Sequence, residues 1–86
     1  MRIEFHRTFR KRHKKISLKI RSQFEERLHI FEKDQWNPLL NNHELTGDRK
    51  GEWSINITGD WRAIYMWRGE ETAIFIDIDT HSNLYE

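Results

Sequence analysis

Three features of this 86-residue sequence predict an α+β fold, a small antiparallel β-sheet packed on one face against an N-terminal helix hairpin, in the order β-α-α-β-β-β. Apolar residues recur at helical spacing from Ile16 to Phe31, they change to strict alternation from Trp53 onward, and the only proline stands between the two regimes. The length supports one domain, residues 1–86, because a chain this short buries only about 60% of its unfolded surface and cannot divide that core.

Ile3 and Phe5 at period two mark a first strand over residues 2–5. Thr8 can cap a short basic helix ending near Lys15, and Ser17 can cap a second. In the second, Ile16, Ile20, Phe24, Leu28 and Phe31 form an apolar stripe, with Lys19, Arg21, Glu25, Glu26 and Lys33 on the other side. The stripe needs a sheet to cover. The stretch D-Q-W-N-P-L-L-N-N, residues 34–42, ends the helix and opens an irregular connection that reaches Gly51.

Trp53, Ile55 and Ile57 then alternate with Ser54 and Asn56, a strand with one buried face. Thr58-Gly59-Asp60 makes a turn, residues 61–67 a second strand, residues 68–71 a hairpin connection, and residues 72–79 a third strand with Ile74, Ile76 and Ile78 on one side. A meander of three or four strands, mainly antiparallel, follows. Both of its faces carry apolar residues, so the face away from the helices is expected to bind a partner or substrate.

Composition narrows the function. Eleven aromatics argue for a folded chain, and the lack of cysteine removes disulfides, thiolate metal sites and thiol nucleophiles. No signal peptide or membrane span is expected, so the cytoplasm is the expected location. The net charge of +1 hides a division: residues 1–33 sum to +7 and residues 34–86 to −6. Residues 7–19 hold seven Lys/Arg and no acid, including Lys11, Arg12, Lys14 and Lys15. Such a face suits a polyanion, and on single-stranded RNA each phosphate contact would contribute about −0.7 to the log-affinity against log-salt slope.

No metal is expected, since no pair of the five histidines is spaced three or four residues apart, and neither an H-E-x-x-H helix nor an EF-hand loop is present. Nucleophile elbows and phosphate- or dinucleotide-binding loops are missing too, so no cofactor is expected. Proton chemistry remains. His43 in the irregular loop, His81 after the last strand and Asp60 in a turn are candidates to move a proton to and from an RNA 2′-hydroxyl and 5′-oxygen. Spacing alone does not bring them together.

The run H-E-L-T-G-D-R-K-G-E-W-S-I-N-I-T-G-D-W-R-A-I-Y, residues 43–65, the ending D-T-H-S-N-L-Y and the preceding basic helix pair resemble the YafQ branch of the RelE/ParE toxin superfamily. The resemblance spans nearly the whole chain. It implies a RelE-like fold and a toxin of a toxin-antitoxin pair, a metal-independent mRNA endonuclease that acts on the ribosome and is neutralised by a cognate antitoxin. It also implies His43, Asp60 and His81 as catalytic residues, with His81 as general acid and His43 or Asp60 as base, or the same roles exchanged. Asn56, Trp61, Arg62, Tyr85 and the basic side chains Lys11, Arg12, Lys14 and Lys15 would position the RNA.

Two positions depart from that branch. Asn56 stands where many members have a second histidine, and Asp77 where they have an arginine that would stabilise the pentavalent phosphate. Arg62, Arg49 or Lys50 are candidates to pair with Asp77 or replace the missing cation. The alternatives are a gyrase inhibitor like the ParE branch, or an RNA- or ribosome-binding homologue with weakened catalysis.

Overall fold

The computed structural model describes residues 1–85. Strand β1 (Arg2–Phe5) leads through His6 into helix α1 (Arg7–His13), whose first turn is capped by His6: its Nδ1 accepts from the Thr8 N–H at 3.2 Å. The sequence places the cap on Thr8, but an imidazole nitrogen one residue before the helix supplies the same acceptor. Helix α2 (Leu18–Lys33) begins as expected on Ser17, whose Oγ accepts from the Ile20 N–H at 3.2 Å.

The connection expected to be irregular has internal order. Asn37 caps a 3-10 turn over Pro38–Leu40, Asn41 closes it at φ 44°, and the chain then enters a two-residue strand, β2 (His43–Glu44). Asparagine tolerates this left-handed conformation better than most side chains. A second 3-10 turn, Gly47–Arg49, leads to β3 (Glu52–Asn56), followed by β4 (Trp61–Arg68), β5 (Thr72–Thr80) and a short helix α3 (His81–Tyr85).

The sheet has five strands in the order β1-β5-β4-β3-β2, all antiparallel except β1 beside β5. The sequence predicts three or four strands, because β2 is too short to show alternation. Helix α3 is likewise too short to show a helical period.

On the helix-covered face, Phe9, Phe24 and Phe31 from α1 and α2 meet Ile55, Ala63, Tyr65, Phe75 and Ile78 from the sheet. Phe31 is fully buried and packs edge-on against Tyr65 and Phe75, with centroids 5.1 and 5.8 Å away. Burying one such side chain contributes about 2 to 3 kcal/mol.

The expected side of Ile78 is corrected by a β-bulge. Ile64 pairs with Asp77 and Tyr65 with Phe75, so Ile76 is an extra residue in β5 and the alternation changes phase there. Ile78 joins Phe75 in the main core, and Ile76 packs with Ile64 on the other face. That second face is also partly closed by the chain itself, because Leu45 after β2 and Leu84 of α3 fold over Ile64.

Candidate active site

His43 opens β2 and pairs across the ladder with Ser54 of β3. Its Nδ1 lies 2.8 Å from the Asn41 carbonyl oxygen, which can only accept, so Nδ1 carries the proton and donates. In the neutral ring Nε2 is then the basic nitrogen. His81 begins α3, and its backbone N–H donates to the Asp60 carbonyl at 2.7 Å. One turn on, the Tyr85 ring packs against the His81 ring at 4.6 Å, and the Tyr85 hydroxyl donates to Ser54 Oγ at 3.2 Å. Ser54 therefore lies between the supports of the two histidines.

His43 and His81, far apart in sequence, line one open cleft of about 340 Å³ with Arg62, Tyr85, Asn41 and Leu45. Arg62 Nη1 donates to the Thr58 and Trp61 carbonyls at 3.0 Å and to Gly59 at 3.3 Å, which ties the guanidinium to the turn between β3 and β4. None of the ion pairs among the described residues involves Arg62. The cleft lining thus holds two imidazoles, a guanidinium and a phenol but no carboxylate, so no lining side chain places a negative charge against an anion.

The other sequence-predicted residues fall elsewhere. Asp60 is exposed in the turn with its carboxylate outside the cleft lining, and it supports His81 through its backbone carbonyl. Asn56 pairs across the ladder with Arg62, and its Oδ1 is buried without a hydrogen-bond partner. Trp61 packs toward the helix-covered core and lines a separate cleft of about 370 Å³ with Lys11, Arg12 and Lys15. Lys14 borders a third, apolar groove of about 510 Å³ between α1 and α2.

Asp77 does not pair with Arg62, Arg49 or Lys50. Arg12 holds it, Nε to Oδ1 at 3.1 Å, while Arg49 pairs with Glu52 at 2.6 Å. Sequence reasoning missed Asn41 and Ser54. The available signal was that Ser54 alternates with Trp53 and Ile55 and so must face away from the core.

Behind His43, the buried Tyr65 hydroxyl donates to Asn42 Oδ1 at 2.7 Å, and Asn42 Nδ2 donates to the Gln35 carbonyl at 3.1 Å. Burial holds the Tyr65 hydroxyl well above its ordinary pKa, so it stays a donor. The residue preceding His43 is thereby tied to the core. Among the described residues, no group of three His, Asp or Glu side chains is arranged to hold a metal ion.

Residues 1–86 match the family model described as bacterial toxin of type II toxin-antitoxin system, YafQ. The chain belongs to the YafQ toxin family. Solved structures agree in fold. YafQ from Escherichia coli strain BL21(DE3) is 20% identical, with TM-score 0.72 and full coverage of both chains. A YoeB/ParE toxin from Agrobacterium tumefaciens is 18% identical, with TM-score 0.76 over 94% of this chain and 99% of that one. The E. coli DinJ-YafQ complex matches at 21% identity and TM-score 0.69 over the whole of both chains. No curated protein matches the sequence. Within the YafQ family frame, the cleft joins the loop histidine of the H-x-L-x-G motif to the terminal T-H-x-x-L-aromatic motif. No helix among the described residues is long and apolar enough to cross a membrane.

Proposed function

We propose that this YafQ-family toxin is a metal-independent endoribonuclease that cuts messenger RNA on the ribosome. The observation that carries the reading is the shared cleft of His43, His81, Arg62 and Tyr85, free of carboxylates in its lining. His43 Nε2 takes the proton of the ribose 2′-hydroxyl as its oxygen attacks the adjacent phosphorus. His81, entering protonated, gives its proton to the departing 5′-oxygen. The products are a 2′,3′-cyclic phosphate and a 5′-hydroxyl.

Arg62 supplies the cation that the family arginine would otherwise bring to the phosphorane, because Asp77 is occupied by Arg12. Tyr85 holds the RNA, Asn56 lies outside the cleft lining and takes no direct part, and Asp60 acts through its backbone carbonyl on His81. Lys11, Lys15 and Trp61 form a separate basic and aromatic surface for more distant phosphates or bases.

The test is cell-free translation of a defined mRNA, with cuts mapped by primer extension. Wild type should give discrete, translation-dependent cuts, and His43→Ala and His81→Ala should each lower the rate by about 10² to 10⁴. An alanine variant at position 81 that cuts as fast as wild type would falsify the acid role. Inhibition of DNA supercoiling without RNA cuts would point to a ParE-like gyrase poison instead.

A cognate antitoxin is the natural regulator, as the DinJ-YafQ complex among the fold neighbours suggests. Its affinity should fall with salt if it covers the basic α1 face, which isothermal titration at two salt concentrations measures. Salt-independent binding would remove that face from the interface.

A further inference from the structure

The two carboxylates of β5 answer the sign problem raised by Asp77 and form part of a larger arrangement. Strand β1 pairs with β5 only as far as Phe75, so the rest of that edge has no partner strand, and α1 packs against β5. Arg12 spans both carboxylates, with Nε at 3.1 Å from Asp77 Oδ1 and Nη1 donating to Asp79 Oδ2.

Asp79 is only 9% exposed, and both of its carboxylate oxygens are engaged. While Oδ2 takes Arg12, Oδ1 accepts from Asn83 Nδ2 at 3.1 Å and from the Thr80 N–H at 2.7 Å. Asn83 lies in α3, two residues after His81 and two before Tyr85. A five-residue helix has no stability of its own, so its placement depends on what holds it. Here the holders are buried Leu84, the Tyr85–Ser54 hydrogen bond, the His81–Asp60 backbone bond and Asp79.

We propose that Arg12, Asp79 and Asn83 form a positioning bridge that fixes α3 and so sets the His81 imidazole in the cleft. Arg12 then serves as an internal cation and not chiefly as an RNA contact, and Asp79 acts through α3 without touching the substrate. The inference rests on His81 being the general acid, but the bridge itself can be read in the free protein. Removing Arg12 would leave a nearly buried carboxylate unpaired, so truncating either partner disturbs α3 more than the surface position of Arg12 suggests.

The experiment compares Asp79→Ala, Asn83→Ala, Arg12→Ala and Arg12→Lys. Translation-coupled cleavage is followed against ribosome concentration, and NMR of the free protein records His81–Tyr85 ring contacts and amide exchange in α3. Asp79→Ala and Asn83→Ala should each lower the saturating rate on the order of tenfold to a hundredfold, leave half-saturation unchanged and weaken the ring contacts. Arg12→Lys should recover part of what Arg12→Ala loses. If wild type cuts no RNA, the nuclease reading fails while the NMR comparison still decides the bridge. Should Asp79→Ala not fold, Asn83→Ala decides alone. Ring contacts and exchange that match wild type in the folded variants overturn the proposal, as does an effect confined to half-saturation.

Discussion

The two faces of the sheet are built by different rules. On the helix-covered face, Phe9, Phe24, Phe31, Tyr65 and Phe75 interlock, and all but Phe9 of the short α1 are placed by a short-range period, 3.6 along α2 and 2 along the strands. On the other face, a small cluster of Leu45, Ile64, Leu84 and Ile76 supports a polar cleft built from a loop end, a turn and a five-residue helix. One face stores stability, and the other spends little on packing and holds side chains with free hydrogen-bonding capacity. Substitutions on the two faces should therefore separate folding from chemistry.

The largest separation is expected between His81→Ala and Phe31→Ala. The first should reduce RNA cleavage by 10² to 10⁴, about 3 to 5 kcal/mol of barrier, with little change in melting temperature. The second should cost about 3 to 5 kcal/mol of stability, a large share of what a domain this size holds, seen as a lower denaturant midpoint. If His81→Ala melted as early as Phe31→Ala, the distinction between the faces would collapse.

A smaller effect crosses between the faces. Tyr65→Phe removes the hydroxyl that holds Asn42 next to His43, and should cost about 1 to 2 kcal/mol in chemical denaturation while slowing cleavage modestly. A stability loss with no change in rate would show that the core does not hold His43 in place.

The smallest is a pH effect on the helix side. His13 has its pKa lowered below 6.5, first by burial and then by the Arg21 charge, with Glu25 opposing. The unfolded chain binds that proton more readily than the folded one, so stability should be fully present above pH 6.5 and decline as pH falls through the depressed value. Melting temperatures from pH 7.5 to 5 measure this, and His13→Gln should flatten the slope.

How much of this could be read beforehand follows the same division. The α2 stripe, the Ser17 cap and the β3–β5 meander were legible because local spacing determines them. The β2 pairing, the bulge after Phe75 and α3 were not, since each involves only a few residues and depends on contacts made elsewhere in the chain. His43, His81 and Tyr85 could be named from motifs, and Arg62 as a candidate cation, but their meeting in one cleft is a property of topology. The partner of Asp77 was hidden for the same reason: Arg12 lies 65 positions away and reads in sequence as one more charge on a basic face.

The proposed cleavage requires that two imidazoles face one phosphate. Titrating the toxin with a 2′-deoxy dinucleotide, which cannot be cut, while following the His43 and His81 ring protons by NMR tests it directly. Both sets of resonances should move together with one midpoint, and Arg62→Ala should weaken that midpoint for both. Resonances that move separately, or a His81 signal that ignores the ligand while His43 responds, would contradict a shared site.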